Sequence, residues 1–147
     1  MDIVIVGSGP AGLHAALQCR QSWPQKSITL LEAEKAAGYC RPLLPQFMAG
    51  EAKEEKLVLF KPAEDRLLKV LTEVRVESID REKQRLRLAN GESIRYERLI
   101  LAPGGRPIIL RLEGAEALEG IFPVKVNPSE SFSLSILSRV FSRSCIV

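Results

Sequence analysis

The apolar positions near the start of the chain form two short runs separated by a helical pattern. Residues 3–6 are a β-branched run of the kind that is buried in a parallel sheet. Apolar positions over 13–21 recur at helical spacing, and a second short strand is predicted over 27–31. This order predicts a strand–helix–strand unit, which is typical of an α/β fold built on a parallel sheet.

The pattern changes to strict alternation in the middle of the chain. Polar and apolar residues alternate over 73–79 and again over 85–88, and an Asn-Gly pair at 90–91 is a strong hairpin-turn signal. With 93–96 as the last strand, the pattern predicts a three-stranded antiparallel β-meander over about residues 72–97.

Shorter segments complete the predicted elements. We expect a charged linker over 51–56, a short strand over 57–60, a short helix over 62–70 and a buried-type strand over 98–102. Near the C-terminus, Asn127-Pro128 predicts a helix start, because Asn caps helices and proline suits the first helical position.

A glycine-rich segment joins the first predicted strand to the first helix. This glycine loop, residues 7–12, matches G-x-G-x-x-G. In such a loop Gly7 allows a sharp turn out of the strand, and Gly9 lets a pyrophosphate approach the backbone. Gly12 lets the helix pack closely on the strand. The pattern predicts a binding site for an adenine dinucleotide rather than an ordinary glycine turn.

The residues around the glycine loop favour the same prediction. Pro10 and Ala11 open the helix, whose free N–H groups and positive dipole end stabilise phosphate charge. Glu32 ends the second predicted strand, 20 residues after Gly12. An acid at that position accepts hydrogen bonds from an adenosine ribose.

Composition and charge narrow the classes of function. The chain has 147 residues, of which 46% are hydrophobic and 27% charged, with a net charge of +3. Acidic and basic residues are interleaved, as at 80–83, which argues against a nucleic-acid partner. No apolar run has the length of a membrane span, and Met1-Asp2 lacks the basic start of a signal peptide. We therefore expect a cytoplasmic protein with no membrane partner.

The three cysteines and the single histidine do not favour a metal site. Cys19, Cys40 and Cys145 form no C-x-x-C pair, so a zinc cluster is not predicted. We expect Cys19 and Cys145 to be small core residues, and His14 to be packed or solvent-facing.

Four segments carry a longer pattern. The first is the glycine loop with Glu32, and the second is Tyr39-x-Arg41-Pro42-Leu43-Leu44, followed by Gly50-Glu51. The third is Val76-x-x-Ile79-Asp80, and the fourth is residues 98–107, similar to L-x-x-A-T-G-x-x-P. Together they resemble the pyridine nucleotide–disulfide oxidoreductase superfamily, in its branch of rubredoxin and ferredoxin reductases, NADH oxidases and nitrite reductase flavin domains.

The resemblance implies a Rossmann-like FAD-binding domain in which the glycine loop serves FAD rather than NAD. It implies FAD contacts by six further residues, with Arg41 on a phosphate and the Val76 backbone on adenine: Arg41, Pro42, Val76, Ala102, Pro103 and Gly104. Pro103 belongs to the same FAD-proximal segment and stands where the family has threonine. The implied reaction passes electrons from NAD(P)H, the co-substrate, through FAD to an acceptor. No residue is assigned a catalytic or metal-binding role, and the acceptor and any redox role of Cys40 stay open.

The resemblance also implies a domain organisation. Residues 1–122 would form the N-terminal part of the FAD-binding domain, and 123–147 a connecting helix and the first strand of an NAD-binding domain. The fold would then be incomplete at its C-terminus, and a missing C-terminal half or a partner chain would carry the NAD-binding domain. We expect the 147-residue chain alone to be inactive. The alternative is a non-catalytic dinucleotide-binding module or a subunit of a split enzyme.

Overall fold

The computed structural model describes residues 3–59 and 66–105, which fall into two compact units. The larger unit contains the described residues of 1–40 and 58–104, and the smaller contains 41–57 and residue 105. The predicted helix after Asn127 and the domain boundary at residue 122 lie outside the described residues.

The described residues contain seven strands and three α-helices. The strands are β1 Ile3–Val6, β2 Ile28–Leu31, β3 Leu68–Leu71, β4 Val76–Asp80, β5 Arg85–Leu88, β6 Ser93–Arg95 and β7 Arg98–Leu101. The helices are α1 Pro10–Ser22, α2 Leu44–Met48 and α3 Glu54–Leu57.

Four strands of the larger unit form a parallel sheet in the order β3-β2-β1-β7. The strands pair in register, with Ile3 opposite Ile28 on one side and opposite Arg98 on the other. Helix α1 connects β1 to β2, so the predicted strand–helix–strand unit is confirmed. The carboxyl ends of these strands meet at one edge, where ligands bind in open α/β sheets.

The two faces of this sheet are covered by different elements. On one face, Ile3 and Ile5 pack with Leu13 and Ala16 of α1. On the other, Val4 packs with Leu31 and with Leu86 of β5 in the meander. Because both faces of β1 and β2 are covered, neither strand alternates between apolar and polar residues, and Thr29, the polar residue of β2, is itself buried.

The predicted antiparallel meander is confirmed. Strands β4, β5 and β6 form a three-stranded sheet, and Leu86 and Leu88 turn their side chains into the interior. The pairing of β4 with β5 shifts register between Val76 and Ser78, so the ladder is irregular at that point. Gly91 has a φ of +85° in the turn between β5 and β6, which explains the glycine at that position.

The helix expected over 62–70 is wrong for all five of its residues that the structure describes, 66–70, of which 66 and 67 form a turn. Residues 68–70 belong to β3, which pairs in parallel with β2. Residues 62–65 lie outside the described residues. A short apolar segment is compatible with either a helix or a buried strand, and here pairing with β2 decides the outcome.

Two other expected elements need correction. The short strand over 57–60 is wrong where the structure describes it: Leu57 ends α3, and Val58 forms only an isolated antiparallel bridge with Tyr39. The charged linker over 51–56 contains the first three residues of α3. The strand over 98–102 is present as β7, but among the strands that the structure describes it is the outermost of its sheet rather than a buried one, and Leu101 is 56% exposed.

The smaller unit begins with a 3₁₀ helix, Arg41–Leu43, which leads directly into α2. Leu44 and Leu57 are its buried apolar side chains among the described residues. Within residues 3–59 and 66–105, none of the helices has both the length and the apolar character needed to cross a membrane.

Candidate functional site

The glycine loop leaves β1 at the carboxyl edge of the parallel sheet. Gly7 has a φ of +98°, and its N–H donates a 2.8 Å hydrogen bond to the Leu31 carbonyl of β2. A Cβ atom on Gly7 would lie 2.2 Å from the Ala102 carbonyl oxygen. Both the left-handed φ and the close backbone therefore require glycine at this position.

Gly12 permits close contact between α1 and the start of the glycine loop. A Cβ atom there would lie 1.9 Å from the Gly7 carbonyl oxygen. Such a distance excludes any side chain unless the backbone moves. This close approach is the packing function that the sequence pattern predicts for Gly12.

Gly9 differs from these two glycines. It is the N-cap of α1, with φ −66° and ψ −179°, which is extended backbone that any residue adopts. It provides no side-chain cap, and the first turn of α1 contains no acidic residue. Pro10 and Ala11 are exposed at the same helix end. The 13-residue helix therefore presents backbone N–H groups and its positive dipole end without a competing side-chain acceptor or negative charge in its first turn.

Glu32 follows β2 directly and is buried, with 6% of its surface exposed. Its Oε2 accepts hydrogen bonds from the Ser8 N–H at 3.0 Å and from the Ser8 hydroxyl at 2.5 Å. Its Oε1 accepts one from the Glu34 N–H at 3.1 Å. Because a buried carboxylate is costly without such partners, these bonds hold Glu32 in a fixed orientation beside the glycine loop.

Ser8 is a residue of this site that the sequence reasoning missed. It is 2% exposed, and its hydroxyl also accepts a 3.1 Å hydrogen bond from the Gly38 N–H. Ser8 therefore connects the glycine loop to the segment after β2, which we call the Glu32 loop (residues 32–39). G-x-G-x-x-G leaves the second position unspecified, so only the presence of a small hydroxyl residue there could have drawn attention to it.

Further hydrogen bonds lie within the Glu32 loop and on its other side. The Tyr39 hydroxyl donates to Glu34 Oε2 at 2.5 Å. The backbone N–H groups of Glu73 and Val74 donate to the carbonyls of Glu34 and Glu32. The loop is therefore held between the glycine loop and the connection from β3 to β4.

Ala102 and Val76 lie in the same unit as the glycine loop. The Ala102 N–H donates a 2.8 Å hydrogen bond to the Val6 carbonyl, and the Ala102 carbonyl approaches Gly7. Pro103 and Gly104 follow as exposed residues. Val76 begins β4 and packs, half-buried, against the apolar cluster below the sheet. The structure thus brings Ala102 to the glycine loop, and the cofactor contacts expected of this segment and of Val76 stay predictions.

Arg41 and Pro42 lie in the 3₁₀ helix of the smaller unit. Arg41 is half-buried and Pro42 is exposed. Their expected contact with a cofactor phosphate stays a prediction, because the two units are described separately.

The described cysteines occupy different environments. Cys19 is buried in α1, and burial raises the pKa of its thiol, partly offset by the positive charge of Arg98. Cys40 is a half-buried free thiol, and His14 is exposed on α1. In the described ranges, no group of three or more His, Cys, Asp or Glu side chains has the geometry to hold a metal ion.

Comparison with known proteins agrees with this geometry. A family model described as pyridine nucleotide-disulphide oxidoreductase matches residues 1–139. The chain is 35% identical to rhodocoxin reductase of Rhodococcus erythropolis over 94% of its own length and 33% of that protein. It is 36% identical to the rubredoxin-NAD(+) reductase of Pseudomonas putida over 82% of its length and 32% of that protein.

A solved structure agrees with these sequence matches. NADH:rubredoxin oxidoreductase from Clostridium acetobutylicum superposes with a TM-score of 0.64 at 32% identity, covering 75% of this chain and 30% of that one. The chain therefore spans about a third of the length of each of these three proteins.

Proposed function

The chain belongs to the pyridine nucleotide-disulphide oxidoreductase family, and we propose that its glycine loop and Glu32 bind the ADP half of FAD. We further propose that the whole protein is an NAD(P)H-dependent flavoprotein oxidoreductase, which passes electrons through flavin to an acceptor. It is supported by relatives whose names describe reductases of rhodocoxin and rubredoxin.

The observation that supports this proposal most directly is the glycine at position 9. Gly7 and Gly12 are explained by the fold alone, since side chains there would collide with backbone atoms. The backbone angles of Gly9 are available to any residue, so conformation does not require glycine at the N-cap of α1. A ligand that must approach the backbone closely at this helix end gives a reason for it.

The hydrogen-bonding groups of the site suit a pyrophosphate joined to a ribose. The N-terminal end of α1 offers backbone N–H groups and a partial positive charge to the phosphates. Glu32, fixed by Ser8 and Glu34, offers a carboxylate to a ribose hydroxyl. When bound, FAD supplies the ring that accepts hydride and releases electrons. The described residues of this chain bind and orient its nucleotide end.

The proposal includes a cytoplasmic location and a complete protein in which an NAD-binding domain lies on further sequence or on a partner chain. The free thiols of Cys19 and Cys40 are consistent with a reducing compartment. In this setting the 147-residue chain supplies cofactor binding, and hydride transfer requires the NAD-binding domain.

Ligand competition tests the proposed function. FAD, ADP and FMN are titrated by calorimetry into the purified 147-residue chain. We expect FAD and ADP to compete for one site and FMN, which lacks the ADP half, to leave that site free. Binding of FMN in competition with FAD, or no saturable binding of FAD and ADP, would contradict the proposal.

A glycine variant locates the binding site within the chain. Gly9→Val introduces a side chain where the phosphates must approach, so we expect at least about tenfold weaker binding of both FAD and ADP. The melting temperature should stay within a few degrees of wild type, because the Gly9 angles suit valine. His14→Ala, at an exposed position of the same helix, is the matched control and should bind normally. Unchanged affinity in folded Gly9→Val would place the nucleotide elsewhere.

A further inference from the structure

The Ser8 hydroxyl takes part in two hydrogen bonds at the centre of the nucleotide site. It donates to Glu32 Oε2 at 2.5 Å and accepts from the Gly38 N–H at 3.1 Å. The Ser8 N–H donates to the same Oε2 atom at 3.0 Å. One residue therefore makes both of the bonds received by that carboxylate oxygen within the described part of the chain.

The number of hydrogen bonds that Glu32 can still accept follows from a count of the accepting positions on its two carboxylate oxygens. A carboxylate has about four accepting positions, two on each oxygen. Ser8 fills both positions on Oε2, and the Glu34 N–H fills one on Oε1. Among the donors that the structure describes, none occupies the last position on Oε1.

We propose that Ser8 is a positioning residue. Its two hydrogen bonds occupy Oε2 of Glu32 and leave Oε1 to bind a single ribose hydroxyl of the adenine nucleotide. This inference rests on the proposed function, since it requires an adenosine ribose at Glu32. Binding both the 2′- and the 3′-hydroxyl would require more accepting positions than the hydrogen-bonded carboxylate has left. The Ser8 hydroxyl thereby sets how Glu32 recognises the ribose, without contacting the ribose itself.

Deoxynucleotides test this recognition directly. Calorimetry of the wild-type 147-residue chain with ADP, 2′-deoxy-ADP and 3′-deoxy-ADP compares the two hydroxyls. A hydrogen bond to a charged group is strong, so loss of the bound hydroxyl should weaken binding at least about tenfold. Loss of the other hydroxyl should change the affinity by no more than about twofold. Equal losses for the two analogues, or no loss for either, would overturn the inference.

Variants of Ser8 separate positioning from a general contribution to the fold. Ser8→Ala opens one position on Oε2 to the second hydroxyl, so the affinities of the two deoxy analogues should converge to within about threefold. Ser8→Thr keeps the hydroxyl and should retain the wild-type difference. Ser78→Ala removes an exposed serine hydroxyl from β4 and should leave all three affinities unchanged.

The outcomes distinguish this inference from the proposed function. If ADP and FAD both fail to bind wild-type protein, the proposed function is wrong and the inference fails with it. If they bind, and the wild-type difference persists unchanged in folded Ser8→Ala, only the role of Ser8 is wrong. If Ser8→Ala does not fold, the comparison of the two analogues on wild-type protein still tests whether Glu32 binds a single hydroxyl. Ser8→Cys, whose thiol is a weaker donor than the hydroxyl, then tests the role of Ser8: the affinities of the two analogues should move closer together, and an unchanged wild-type difference would contradict that role.

Discussion

Individual glycines in the loop after β1 are required for different physical reasons. Gly7 combines a left-handed φ with a close carbonyl, and Gly12 lies against the backbone of Gly7. Gly9 has backbone angles open to every residue. Substitutions at Gly7 and Gly12 therefore report on folding, whereas a folded variant at Gly9 tests ligand binding.

Gly12→Ala should destabilise the protein. Replacing glycine by alanine inside a helix normally stabilises it by about 0.5–1 kcal/mol. Here the new Cβ would lie 1.9 Å from the Gly7 carbonyl oxygen, so the backbone must shift. We expect the free energy of unfolding, measured with urea, to fall by about 2 kcal/mol or more. His14→Ala on the same helix should change it by less than about 0.5 kcal/mol, and a gain in Gly12→Ala would refute the close packing.

Cys19 and Cys40 should differ in reactivity. Burial raises the pKa of the Cys19 thiol, so little thiolate forms near neutral pH, while Cys40 is half-buried. Iodoacetamide at pH 7.5, followed by mass spectrometry, should label Cys40 before Cys19. Equal labelling rates in the folded protein would contradict the buried position of Cys19.

The same thiol gives a pH dependence of stability. A raised folded-state pKa means that the contribution of Cys19 is complete below the unfolded value of about 8.5 and is lost as the pH rises through the folded value. The stability difference between wild type and Cys19→Ala should therefore shift against wild type between pH 7.5 and pH 10. Urea unfolding at the two pH values measures it, and a constant difference would contradict the raised pKa.

Among the elements, β3 shows where the sequence pattern was insufficient. Strands β1 and β2 were predictable because β-branched and apolar runs flank a helical segment at the expected spacing. The meander was predictable from strict alternation and an Asn-Gly turn. The short segment that contains β3 has no such signature, and its state is decided by pairing with β2, which is distant in sequence.

Two leucines of β3 allow this assignment to be tested. Leu68 is 7% exposed and packs in the core under α1, whereas Leu71 at the end of the strand is 37% exposed. Leu68→Ala should lower the free energy of unfolding by about 2–4 kcal/mol, because it leaves a cavity in that core. Leu71→Ala is the matched control and should cost less than half as much. Similar losses for both variants would contradict the strand orientation.

The candidate site was predictable in part for a related reason. Gly7, Gly9, Gly12 and Glu32 follow a spacing with a known physical basis, and the structure brings Glu32 beside the glycine loop. The bonds of Ser8 were not predictable, because they depend on where the Gly38 N–H lies after the chain folds. Side-chain hydrogen bonds between loops are set by tertiary geometry, which residue spacing does not specify.

For the whole molecule, we propose that this chain binds FAD and that the NAD-binding domain lies on further sequence or on a partner chain. This arrangement predicts low activity for the chain by itself. Hydride transfer needs a nicotinamide held close to the flavin ring. The single G-x-G-x-x-G of this sequence is assigned to FAD. NADH oxidation by the 147-residue chain with FAD and a dye acceptor should be slow and should not saturate with NADH. Saturable turnover well above the rate of free FAD would show that this chain holds both nucleotides.

The location of nucleotide binding is measured most directly by amide chemical shifts. In ¹H–¹⁵N spectra of the labelled 16.3 kDa chain, ADP is added to saturation and each backbone amide is followed. The largest saturable shifts should fall in two places, the glycine loop with the first turn of α1 and the Glu32 loop. The exposed residues of β6 should stay unchanged. Saturable shifts confined to the meander, or none in the glycine loop, would contradict nucleotide binding at this site.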